Sequence, residues 1–101
     1  MQTFPRKKIE LIVESAYLSP MLAMIDATGA TGYTVIRDLI GRGRHGERGR
    51  EALGENSNVL IIVICTPVIA DRILEGSQRI LGDGFGIVTV SDVQVLRAEH
   101  F

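Results

Sequence analysis

Arg42, Arg44, Arg48 and Arg50 are interspersed with Gly41, Gly43, Gly46 and Gly49 inside a stretch, residues 41–57, that has no hydrophobic periodicity. A guanidinium fork pairs bidentately with phosphate or carboxylate, and glycine lets the main chain approach such a ligand closely. The chemistry on offer is therefore anion binding. Glu47, Glu51 and Glu55 partly offset the arginines, so a solvated loop whose charges pair with one another is the alternative. A loop this long in a small domain is generally functional or disordered, and this one is expected to stay mobile until an anion orders it.

Three glycine turns extend the set: Thr31-Gly32-Tyr33-Thr34-Val35, Gly41-Arg42-Gly43-Arg44 and Gly82-Asp83-Gly84-Phe85-Gly86. Each is weak alone, but all three flank expected strands of one small sheet. None is a Walker A loop, because no Gly-Lys-Ser/Thr follows, so phosphate would have to be held by main-chain N–H groups and arginines. Cys65 is the only cysteine and ends the apolar run Val59–Ile64, which predicts a buried, inert thiol. His45 and His100 lie too far from other ligand types for a zinc site and are expected to be exposed. No carboxylate pair, Ser/His/Asp set or cysteine with a base is present. A binding module is the default.

The elements that must position these residues follow from capping and periodicity. Ser19-Pro20 before Met21–Ala27, with Thr28-Gly29 after it, predicts a short helix. Thr66-Pro67 predicts a second helix reaching Leu81, with Ile69, Ile73, Ile80 and Leu81 on one side and Gly82 closing it. Strands are expected over 8–14, 32–39, 58–65 and 86–96, the last bent around Ser91-Asp92. The order β-α-β-β-α-β is the split-βαβ, ferredoxin-like α+β arrangement: a four-stranded antiparallel sheet with two helices on one face. Residues 41–57 form its long hairpin connection. The other sheet face needs cover, and the apolar 59–65 run suggests burial on both faces, so oligomerisation is expected.

At 101 residues the chain is expected to be a single domain, with 46% hydrophobic but only 5% aromatic residues. Formal net charge is −1, from 11 basic and 12 acidic residues, which provides no global field for nucleic acid. No apolar run approaches the ~20 residues of a membrane span, and a cytoplasmic location is expected.

In order and spacing, Lys7-Lys8-Ile9-Glu10, Thr31–Val35, Gly41–Arg44, the Val59 strand and Gly82-Asp83-Gly84 resemble the PII signalling proteins. The resemblance implies the ferredoxin-like fold, a homotrimer, an adenine nucleotide in each cleft between subunits and no enzymatic activity. It makes 41–57 the signalling T-loop, with Arg42, His45, Arg48 and Arg50 available to a partner. It places Gly32, Tyr33, Thr34 and Val35 at base and ribose and Ile64 in the adenine pocket. Gly43 and Arg44 would face the phosphates, Gly84 would offer a phosphate-binding turn, and Phe85, Gly86 and Arg97 would also belong to the nucleotide site.

Phe85 stands where the nitrogen-regulatory pattern has lysine, only Arg97 matches that pattern's terminal arginines, and His45 replaces a glutamine. Strong ATP binding and Mg–oxoglutarate binding are therefore not expected. The ending Gly86–Phe101 is similar to PII-like proteins associated with bicarbonate transporters and carboxysomes. The implied ligands are ADP or AMP, with ATP and cyclic AMP as further candidates and bicarbonate beside them. The implied partner is a bicarbonate-class membrane transporter or a carbon-fixation protein. Alternatives are a regulator of another transporter or of nitrogen metabolism, and a metal-tolerance or small-molecule-binding domain of the same fold.

Overall fold

The computed structural model describes residues 1–43, 46–48 and 57–101. Strand β1 (Phe4–Glu14) leads through a 3-10 turn (Ser15–Tyr17) into helix α1 (Leu18–Ala27), then β2 (Thr34–Leu39). Two short strands, β3 (Gly41–Gly43) and β4 (Gly46–Arg48), precede β5 (Asn58–Cys65), helix α2 (Pro67–Leu81) and β6 (Gly86–Val95). The main sheet has the order β2-β5-β1-β6 with every pairing antiparallel, and β3 and β4 form a separate ribbon. This is the expected ferredoxin-like α+β fold.

Strand alternation sorts the side chains into two layers. Ile9, Leu11 and Val13 of β1 stand opposite Val63, Ile61 and Val59 of β5, and all six are fully buried. Against them pack Met21 and Ile25 of α1 and Ile73 of α2. Each such aliphatic side chain contributes ~1.5–3 kcal/mol of burial. The alternate positions Leu60, Ile62 and Ile64 are only half-buried, so β5 is covered on one face within the chain. Cys65 lies on the covered face, and burial pushes its thiol pKa up.

Several boundaries differ from the sequence expectation, each for a physical reason. Helix α1 begins at Leu18, so Ser19 is not its N-cap and Pro20 is the third helical residue. The first N–H groups of a helix have no intrahelical acceptor, so proline costs no bond there, while Leu18 gains burial. Thr66 does precede α2 in extended backbone, with Pro67 first in the helix. Strand β1 starts at Phe4 rather than Lys8 because the long β6 pairs with it as far as Val95. Pro5 lies where β1 has only β6 beside it, since β5 ends opposite Lys7. Strand β6 shows no register shift at Ser91-Asp92, which stay paired with Lys8 and Lys7. The stretch 41–57, read as free of regular structure, opens with the β3–β4 ribbon.

Strand β2 carries one irregularity. Its pairing with β5 shifts between Ile36 and Leu39, and Asp38 takes a left-handed backbone with φ 59°. One extra residue is accommodated there immediately before the glycine-arginine stretch.

Candidate functional site

A cavity of about 200 Å³ opens at the β2 edge of the sheet. One wall is the segment Thr31, Gly32, Tyr33 and Thr34; the floor is Ile62 and Ile64 of β5; the far wall is His100 and Phe101. Thr34 pairs with Ile62, which pairs with Glu10 of β1, so strand alternation puts Thr34, Ile62 and Ile64 on the face away from the helices. The lining combines aliphatic and aromatic surface with hydroxyl, imidazole and main-chain groups. A planar heterocycle fits that chemistry. Among the described residues, no lysine or arginine lines the cavity.

The far wall is tied down by polar contacts. Residues Ala98–His100 form a 3-10 turn after β6. Thr31 Oγ1 donates to the His100 main-chain oxygen at 2.8 Å, which joins the two walls. Arg6 Nε donates to the Phe101 main-chain oxygen and Nη2 to that of Ala98, each at 3.2 Å. On the neighbouring surface Lys7 pairs with Asp92 at 2.5 Å and Lys8 with Glu10 at 3.5 Å, partly exposed pairs that add little stability.

Of the residues expected at base and ribose, Gly32, Tyr33, Thr34 and Ile64 line this cavity. Val35 does not. It stands opposite Ile61 and packs against the core, on the other side of β2. Gly84, Phe85 and Gly86 lie elsewhere. Gly86 pairs with Val13 on the far edge strand, three strand spacings across the sheet and three residues along it from Thr34. At ~4.8 Å per strand and ~3.3 Å per residue, the main-chain separation is roughly 17 Å.

Gly84 closes the turn after α2, with its N–H donating to the Leu81 main-chain oxygen at 2.7 Å. Arg97 is exposed at the start of the segment that carries His100 and Phe101, and its main-chain oxygen accepts from the His100 N–H at 3.2 Å. For Arg42, Gly43 and Arg48 the backbone is described: Arg42 stands opposite Glu47, Gly43 opposite Gly46 and Arg48 opposite Gly41. Arg44, His45 and Arg50 lie outside the described residues.

The sequence reading missed Ile62, His100 and Phe101 as cavity residues, and Thr31 as the link between the walls. Period-two alternation from Ile64 points to Ile62. His100 was expected only as an exposed terminal histidine; its ring is more than half exposed yet lines the cavity beside Phe101, the two centroids 6.5 Å apart. No local pattern in a chain end carries that placement. Among the described residues, no group of three or more His, Cys, Asp or Glu could hold a metal ion, and no helix is long and apolar enough to cross a membrane.

The family model for nitrogen regulatory protein P-II matches residues 6–100. No curated protein sequence matches the chain. Among solved structures, the chain is similar to CPII, a nitrogen regulatory PII-like protein from Thiomonas intermedia K12, bound to ADP, AMP and bicarbonate. Identity is 32%, the TM-score is 0.91, and 99% of this chain and 96% of that one are covered. The same protein bound to ADP, AMP and acetate matches at 30% identity and a TM-score of 0.84, over 100% of this chain and 98% of that one. A PII-like signalling protein from Thermus thermophilus matches at 26% identity and a TM-score of 0.78, over 98% and 97% of the two chains.

Proposed function

This chain belongs to the nitrogen regulatory protein P-II family, and from that premise we propose that it is a non-enzymatic, trimeric sensor of ADP and AMP. Bicarbonate is its second ligand. The base enters the cavity at Thr31–Thr34, the glycine-arginine stretch and the Gly84 turn face the phosphates, and the signal passes to an inorganic-carbon transporter or a carbon-fixation protein.

The observation that carries this reading is the separation of the expected site residues within one chain. The base cavity sits at the β2 edge, and Gly84 and Phe85 lead into the opposite edge strand at Gly86, whose main chain is roughly 17 Å from that of Thr34. A nucleotide that used both would have to lie between two copies of the chain. The structure of CPII, a relative similar over nearly its full length, holds ADP, AMP and bicarbonate, which supports the choice of these ligands. The acetate complex of the same protein supports an anion site that takes a small planar carboxylate. Such an anion suits an arginine fork or paired N–H donors.

Calorimetric titration with ADP, AMP and ATP, each with and without bicarbonate, tests the reading. ADP and AMP are expected to compete well with ATP, because Phe85 supplies no charge for a third phosphate. Bicarbonate is expected to tighten nucleotide binding, and nucleotide to tighten bicarbonate binding by the same factor, since coupling between two ligands is reciprocal. Absence of adenine-nucleotide binding would overturn the assignment.

A further inference from the structure

Arg6 belongs to none of the residues assigned above, yet its guanidinium is used three times. Nη1 donates to its neighbour's main-chain oxygen, on Pro5, at 2.8 Å, while Nε and Nη2 reach across to Phe101 and Ala98. One planar fork thus holds two oxygens three residues apart and fixes the turn between them. Thr31 holds the same turn from the other side through the His100 oxygen. Neither tether involves a core residue: Arg6, Thr31 and the segment 98–101 all lie outside the buried cluster. This wall of the cavity is therefore set by side-chain hydrogen bonds and not by apolar burial.

We infer that Arg6 is a positioning residue for base recognition. It holds His100 and Phe101 in place, so that the base lies between them and the Gly32–Thr34 wall. This deepens the nucleotide reading and rests on it. A surface segment left free would have to be ordered when ligand arrives, at a cost to affinity; a segment already tied at both sides avoids that cost. A fixed wall also limits the width and edge chemistry the base can present, so it acts on the choice of base. The phosphates lie beyond its reach.

The test uses Arg6→Ala, Arg6→Lys and Phe101→Ala in the full chain, titrated with ADP and with GDP, alongside melting and light scattering without ligand. The wild type is expected to prefer ADP. Arg6→Ala and Phe101→Ala should weaken ADP about tenfold, the equivalent of one charge-assisted hydrogen bond, and narrow the ADP-to-GDP preference. Ligand-free melting and mass should stay as in wild type. Arg6→Lys should recover part of the loss, because an ammonium cannot span both oxygens in one plane. Wild-type ADP affinity and selectivity in both Arg6→Ala and Phe101→Ala would overturn the inference. So would an Arg6→Ala protein that melts lower and loses ADP and GDP equally while Phe101→Ala binds as wild type. Failure of the wild-type chain to bind any adenine nucleotide would instead sink the underlying reading.

Discussion

At Gly84 a Cβ would stand 2.5 Å from the Tyr17 hydroxyl oxygen and 2.9 Å from the Leu81 main-chain oxygen. The turn after α2 thus has a packing reason for glycine that is independent of any phosphate. The tyrosine end can move, but the main-chain oxygen is held at the end of α2. Gly84→Ala should therefore cost about 1–3 kcal/mol and lower the ligand-free melting temperature. Removing the hydroxyl in a Tyr17→Phe, Gly84→Ala double variant should restore part of that loss, the Leu81 contact remaining. Melting curves of the two single variants and the double variant measure the coupling. A Gly84→Ala protein that melts like wild type would show that the turn relaxes in solution, leaving phosphate approach as the reason for glycine.

The elements flanking residues 41–57 are anchored differently at their two ends. On the exit side, Ser15 is joined to Ser57: its N–H donates to the Ser57 main-chain oxygen at 2.8 Å, and its hydroxyl lies 2.9 Å from both Ser57 oxygens. On the entry side the anchor is the β2 bulge with Asp38 in left-handed backbone. Aspartate tolerates that region and glycine prefers it, whereas a β-branched side chain meets the adjacent carbonyl there. Asp38→Gly should be neutral or stabilising by up to ~1 kcal/mol, and Asp38→Val should cost ~1–2 kcal/mol. Denaturant midpoints for the pair decide this. Equal midpoints would mean that β2 runs without the left-handed residue in solution.

For the whole molecule, the decisive feature is the sheet face that, among the described residues, no helix covers. Ile12, Leu60, Ile62 and Ile64 lie on it by register, and Ile36 and Ile87 extend it to the two edge strands, 44% and 47% exposed in the single chain. Different edges meeting between successive copies make a heterologous contact, which closes into a ring when the rotation permits. Light scattering of the wild-type chain should give the mass of a trimer. A charge at the edge, as in Ile36→Glu, should shift the population toward smaller species and weaken ADP binding with it. Full ADP affinity in a monomeric Ile36→Glu protein would place the whole nucleotide site within one chain.

What the sequence determined by itself is everything governed by local and periodic rules. Helix α2 is legible from Thr66-Pro67 and Gly82, and β5 is legible residue for residue from its apolar run. The fold order and the cavity residues Gly32, Tyr33, Thr34 and Ile64 follow from the same reading joined to the family resemblance. Tertiary structure alone decided which side of β2 each residue presents: Val35 went to the core because Ile61 opposite it is buried. It also decided that Arg6 meets Ala98 and Phe101, more than ninety residues away, because the β1–β6 ladder brings those ends together. Periodicity is a property of neighbours in the chain; a hydrogen bond between its two ends depends on how the sheet is ordered.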